Sequence, residues 1–418
     1  MSVCDGSRTT ILRGAAAAMV RAAPAAVVLV ALAVLAALGA AACGTGGVAN
    51  AAGAAGQPAG ATLAAATVPA ASPDPSPSAS SSPTTPSELA GWSDRRLAAQ
   101  LVFCSVPASD PLAGRTSARM GVGGIVILGG GARSSIGGDL AAVLRAAPHG
   151  VKPFIASDEE GGLVQRLRDV IYPLPSAHVQ GTWSAAKTRA TAQDYGARLR
   201  KLHVAVVFGP VADLDIPGKY MSSLGRCFSG DPSVVGAHVV AWIKGLHAAG
   251  VLSTVKHWPG HGWASNTHTG AARVPSLSVL RRRDMVPFEQ AFDAGVPFVM
   301  VGHLRSKGLT GDQTPASLSR HALTYLRGRT GDKTVIVTDS LSMAATTTAL
   351  HLTVPAAAVR ALKAGADLAL FASGDPAPVI DAVTAAIKTG RIPRADAEAK
   401  VARILALKRK AGLAPGVQ

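Results

Sequence analysis

The sequence predicts an α/β chain folded as a (β/α)8 TIM-like barrel, and three observations carry that prediction. Short apolar strings alternate with segments that suit helices from about residue 88 onward. The strings are continuously apolar rather than alternating, which fits strands buried on both faces and therefore paired in parallel. Nearly every string ends in ionisable residues and glycines, as expected where all strand ends share one rim. A doubly wound open sheet is the other architecture that accommodates such units.

In chain order the strings are LVFCSV (101–106), VGGIVIL (122–128), PFIAS (153–157), HVAVVF (203–208), VLSTV (251–255), PFVMV (297–301), TVIVT (334–338) and DLALF (367–371). Between them lie helical stretches such as DPSVVGAHVVAWIKGLHAAG, with Asp231 placed as the cap and Gly250 as the stop. At 48% apolar residues over its full length, the chain can fill a large core.

The preceding segments read differently. Arg8, Arg13 and Arg21 precede an uncharged run from Ala22 to Ala42, the pattern of an export signal, with Met19 as a possible alternative start. The run ends at Cys43 and resembles the lipobox of bacterial lipoproteins, which implies lipid attachment to Cys43. Ala40 departs from the usual leucine three positions before that cysteine. An uncleaved membrane anchor and ordinary secretion are the alternatives. All three place the remainder outside the cytoplasm, on the outer face of the cell membrane or secreted. Residues 44–87, ending in ASPDPSPSASSSPTTPS with Asp74 as the only charge, read as a disordered Pro/Ser/Ala-rich tether. The chain thus divides into a signal (1–43), a tether (44–87) and one barrel domain (88–418).

The formal charge of +16 invites a nucleic-acid reading. Lys and Arg are scattered, however, with Arg281–Arg283 and Lys408–Lys410 the only runs of three, and these read as solvated helix faces. No nucleic-acid partner is expected; a surface that tolerates an anionic cell wall accounts equally well for the charge. Cys104 and Cys227 sit in apolar strings as buried thiols, with a disulfide between them left open.

The rim residues carry the chemistry. Asp339 follows TVIVT directly, so its carboxylate is either a nucleophile or charge stabiliser at the barrel mouth, or the cap of the next helix. Asp158 opens DEEGGLVQR, where the acids and Arg166 could hold sugar hydroxyls, a metal, or simply one another. Arg226 and Lys256 add cations to the same rim, which argues against a cage for a divalent metal. VKHWPGHGWASNTHTG holds His257, His261 and His268, whose spacing raises zinc as an alternative. Pro259, Gly260 and Gly262 break the continuous helix that would set an i, i+4 pair on one face, so no metal is expected.

KHWPGHG resembles the KHFPGHG signature of family 3 glycoside hydrolases, in the branch of β-N-acetylhexosaminidases that act on bacterial wall sugars. SDEEGGLVQR resembles that family's acidic motif, GRCFSGDP its arginine loop and TDSLSM its nucleophile motif, all in the same order across residues 90–415. The resemblance implies a barrel without a C-terminal sandwich domain and a retaining β-N-acetylglucosaminidase that needs no cofactor. Its substrates would be N-acetylglucosamine-containing fragments of peptidoglycan, and the protein would be a monomer. It assigns Asp339 as nucleophile, His268 as acid/base, and Asp158, Arg166, Arg226, Lys256 and His257 as holders of the sugar. Two departures stand out: Asn266 occupies the place of an aspartate that supports the histidine, and Leu163 stands where an arginine is common. A neutral amide can orient an imidazole but cannot stabilise its cation. An N-acetylglucosaminide phosphorylase and a catalytically impaired wall-sugar-binding lipoprotein are the alternative functions.

Overall fold

The computed structural model describes residues 87–416, apart from 312, 373 and 374. The signal-like run, Cys43 and the tether to residue 86 lie outside the described residues.

Eight parallel strands run in simple sequential order: β1 (Val102–Pro107), β2 (Gly124–Leu128), β3 (Phe154–Ser157), β4 (Val206–Val207), β5 (Leu252–Trp258), β6 (Phe298–Val301), β7 (Val335–Thr338) and β8 (Ala369–Leu370). Each of the eight apolar strings supplies one of them. β1 pairs with both β2 and β8, and a parallel bridge between Val337 and Leu368 joins β7 to β8 and closes the ring. Closure leaves no strand edge unpaired, which removes the template for aggregation that an open sheet presents. At this seam the short β8 borrows a side chain: the Leu370 N–H donates to Thr338 Oγ1 at 3.0 Å.

The strands are buried along nearly their whole length, as continuous apolar strings require. Phe103 and Phe208 meet with ring centroids 5.4 Å apart, and Phe154 meets Phe298 edge-on at the same separation. The Phe103 ring fills the space beside Gly124, where an added Cβ would lie 2.3 Å from it, so β2 can only begin with glycine.

Helices cover the outside. In Pro232–Ala248 the Asp231 side chain caps the first turn by accepting from the Ser233 N–H at 2.8 Å, and Gly250 turns the chain back with φ +74°. Arg394–Lys410 corrects one expectation: Lys408, assigned to a solvated face, is fully buried. Its ammonium donates to Gln100 Oε1 at 2.7 Å and lies over the Phe154 ring. Cys104 and Cys227 are buried free thiols. No helix among the described residues is long and apolar enough to cross a membrane, and the described residues contain no β-sandwich.

Candidate active site

A cavity of about 350 Å³ opens at the C-terminal ends of the strands and is lined by Asp158, Arg166, Arg226, Lys256, His257, His268 and Asp339, all seven anticipated from sequence. His261, Ser340, Tyr220 and Met343 are among the other residues of its walls.

The DEEGG run explains how three consecutive acids are sorted. Glu159–Gly161 is extended and pairs with Val164–Gln165, so successive side chains point to opposite sides. Asp158 and Glu160 face the rim, where the Lys256 ammonium bridges them at 2.6 Å each. Glu159 points back into the core, accepting from Ser157 Oγ and Tyr195 Oη at 2.5 and 2.7 Å. Burial pushes the Glu159 pKa up to about 7. The hairpin turns at Gly161, with φ +91°, where a Cβ would lie 2.1 Å from the Pro175 carbonyl oxygen; no side chain fits.

Arg226 forms a two-pronged pair with Glu160, Nε to Oε2 at 2.7 Å and Nη2 to Oε1 at 2.8 Å. Burial opposes the Glu160 charge, but Arg226 and Lys256 outweigh it and hold the carboxyl far below its ordinary range. Burial likewise opposes the Lys256 charge, and Asp158 and Glu160 keep its pKa above the ordinary lysine value. Arg166 reaches Asp158 only at 3.5 Å and its buried Nε has no partner, which leaves donor capacity at the cavity wall.

The KHWPGHG segment is organised by Asp213, a fully buried residue that the sequence reading did not single out. Its Oδ1 accepts from the backbone N–H groups of His257 and His261, and its Oδ2 accepts from His257 Nδ1 at 2.7 Å. With Nδ1 engaged, only Nε2 of His257 remains for a ligand. His261 is buried with an unpartnered Nδ1, and burial pushes its pKa down to about 4, so it is neutral near pH 7. Among the described residues no three of His, Cys, Asp and Glu form a metal-ligating group.

Asp339 follows β7 directly. The residue is 8% exposed, and Oδ1 accepts from the Ser340 N–H at 2.7 Å. Burial raises the cost of its charge, yet His257, that N–H and Lys256 together hold its pKa below the ordinary aspartate value. An ionised carboxylate with one oxygen anchored and the other free is the form a nucleophile requires. His268 lies on the exposed loop at the cavity edge. Asn266 Oδ1 accepts from the His268 backbone N–H at 2.9 Å, so the amide orders the loop and does not engage the ring.

Asp213 and His303 support the site from behind the cavity and were not singled out from sequence, while Glu160 and His261 were raised there only as candidate ligands. Glu160 had a signal, the i, i+2 spacing from Asp158 on an extended segment; Asp213 had none beyond its place after a strand.

A closed parallel barrel with a charged, partly unsatisfied pocket at its C-terminal rim defines a barrel enzyme that takes a small polar ligand. Residues 100–407 match the model of the glycosyl hydrolase family 3 N terminal domain. The β-hexosaminidase LpqI of Mycobacterium tuberculosis is 38% identical over 299 residues, covering 69% of this chain and 76% of that protein. A β-hexosaminidase of Xanthomonas oryzae pv. oryzae is 36% identical over 230 residues, 52% of this chain and 67% of that protein. Among solved structures, a family 3 glycosyl hydrolase from Mycobacterium smegmatis superposes with a TM-score of 0.69 at 34% identity, covering 79% of this chain and 99% of its own. A family 3 β-N-acetylglucosaminidase from Paenibacillus gives 0.70 at 30% identity, covering 78% of this chain and 64% of its own. The chain belongs to glycosyl hydrolase family 3.

Proposed function

We propose that this protein is a retaining β-N-acetylhexosaminidase that removes terminal N-acetylglucosamine from peptidoglycan-derived fragments. The observation that carries the reading is Asp339, an anchored and ionised carboxylate opening onto the same cavity as Asp158, Arg226, Lys256 and His257.

Asp339 attacks the anomeric carbon through its free oxygen and forms the glycosyl-enzyme, while His268 as imidazolium gives its proton to the departing oxygen. Neutral His268 then takes a proton from water, the water oxygen attacks the anomeric carbon, and Asp339 leaves as carboxylate. Two inversions give net retention. Asp158, bridged by Lys256, and Arg166 with its unpartnered Nε hold sugar hydroxyls, joined by Arg226 and His257. No carboxylate among the described residues contacts the His268 ring, so the imidazolium has no fixed counter-charge beside it.

The bare His268 also favours a second reading, phosphorolysis: a neutral imidazole does not repel an approaching phosphate as a carboxylate base would. Release of chromophore from an aryl β-N-acetylglucosaminide, with and without phosphate, separates the two. Free β-anomeric sugar as first product supports hydrolysis, sugar 1-phosphate supports phosphorolysis, and sugar binding without any product supports a wall-binding protein.

The export run and Cys43 support anchoring to the outer face of the cell membrane. Cys43→Ala should release the protein from the membrane fraction; unchanged retention would favour an uncleaved anchor.

A further inference from the structure

The GHLRS segment after β6 carries a histidine that the reaction above does not use. His303 is fully buried and does not line the cavity. One ring nitrogen, Nε2, lies 2.8 Å from the Ser340 carbonyl oxygen, and the other, Nδ1, lies 2.7 Å from Ser317 Oγ. A carbonyl oxygen only accepts, so Nε2 carries the proton. Burial pushes the His303 pKa down, so the ring is neutral and the Ser317 hydroxyl donates to Nδ1.

Ser340 follows the nucleophile, and its surroundings show what this contact does. The peptide plane joining Ser340 to Leu341 is held at both ends, its oxygen by His303 and its N–H by the Leu370 carbonyl at 2.8 Å. The Asp339 N–H is held by the Val301 carbonyl at 2.9 Å. Only the plane between them remains, and its N–H anchors Asp339 Oδ1. Of these bracing contacts two are strand-type backbone bonds; the third is the imidazole. The Ser340 hydroxyl, buried at the cavity wall, makes no hydrogen bond of its own.

We infer that His303 is a positioning residue for the nucleophile: its Nε2–H clamps the Asp339–Ser340 turn, and Ser317 fixes the ring tautomer that makes this possible. The inference rests on Asp339 acting as the nucleophile. Positioning of a reacting group acts on the chemical step, so its loss lowers kcat while leaving KM nearly unchanged.

Two replacements separate the two ring nitrogens. His303→Gln places an amide donor near the Nε2 position and keeps the clamp on Ser340. His303→Asn places its amide near Nδ1, keeping the Ser317 contact and losing the clamp. With an aryl β-N-acetylglucosaminide, His303→Asn should lower kcat about 100-fold with KM within about twofold, the scale of a misplacement of about 1 Å. His303→Gln should recover most of that loss, to within about tenfold of the parent. Ser317→Ala, which keeps the ring but frees its tautomer, should lower kcat about three- to tenfold, and it serves as the test if His303→Asn does not fold.

Equal impairment of the Gln and Asn variants, a rise in KM at unchanged kcat, or an unaffected kcat in Ser317→Ala would each overturn the assignment. An active parent with such variants refutes the role of His303 alone. A parent that releases no chromophore refutes the glycosidase reading and with it any positioning role in that reaction.

Discussion

Two buried charge clusters sit on this barrel, and they look alike until their surroundings are compared. At the rim, Asp158 and Glu160 share Lys256, and Glu160 takes both prongs of Arg226. On the seam between β7 and β8, Asp367 is fully buried and paired with Arg327 and Arg403, while its Oδ2 also accepts from the Ile336 N–H at 2.8 Å. In both, neighbouring cations overcome the cost of burial and hold a carboxylate below its ordinary pKa. The difference is saturation. Asp367 spends both oxygens on groups that join two strands and two helices, and Arg327 gives Nη1 to the Gly331 and Thr334 carbonyls. The rim cluster borders a cavity, beside Arg166 Nε, His261 Nδ1 and Ser340 Oγ, three buried polar atoms with no partner. Buried ion pairs alone therefore do not mark an active site; hydrogen-bonding capacity left unused beside open space does.

That contrast can be broken most forcefully at Asp339. Asp339→Asn should lower kcat/KM by about 10⁴-fold or more with little change in thermal stability, as expected when a nucleophile is replaced by a near-isostere. Chromophore release and a melting curve on the same sample read both quantities. At the seam the pattern should reverse: Asp367→Ala strands two arginines and should cost about 3 kcal/mol of stability in a urea titration, while the folded fraction keeps its activity. If Asp367→Ala instead silenced the folded enzyme, the seam would belong to the site. A smaller effect is expected at Arg226→Met, which removes the two-pronged contact to Glu160 and should weaken sugar binding, raising KM about 10- to 100-fold, the range of one charged hydrogen bond.

The smallest effect concerns Lys408, an amine buried against Gln100 and Phe154 and paired with no carboxylate of either cluster. Burial pushes its pKa down to about 7, whereas an unfolded lysine titrates near ~10.4. Between those values the unfolded chain binds a proton that the fold does not, so this residue makes stability rise with pH across that window. Lys408→Met should flatten the rise relative to the parent, measured as urea midpoints from about pH 7 to 10. Equal slopes in the two proteins would show that Lys408 stays charged in the fold.

The sequence shows the barrel more fully than it shows the site, for physical reasons. Apolar strings report burial directly, so all eight strands are legible, although HVAVVF yields only Val206–Val207 in the ladder because His203 turns the chain with φ +65°. The residues meant to face the cavity are legible too, since position after a strand fixes the side on which they emerge. Their partners are not. Asp213 reaches His257 across 44 positions, and His303 reaches Ser340 across 37; no local pattern encodes either contact. Lys408 fails for a related reason: its run reads as a charged face, and only the packing of its helix against Phe154 and Gln100 reveals a buried amine.

Asp339 as the nucleophile is the residue on which the proposed reaction turns. Intact-mass and peptide analysis after incubation with a fluorinated N-acetylglucosaminyl substrate that forms the intermediate quickly and releases it slowly would test this. The prediction is one glycosyl unit on the peptide carrying Asp339, absent in Asp339→Asn. Steady turnover of the aryl glycoside with no adduct and an inverted first product, or an adduct on another residue, would contradict it.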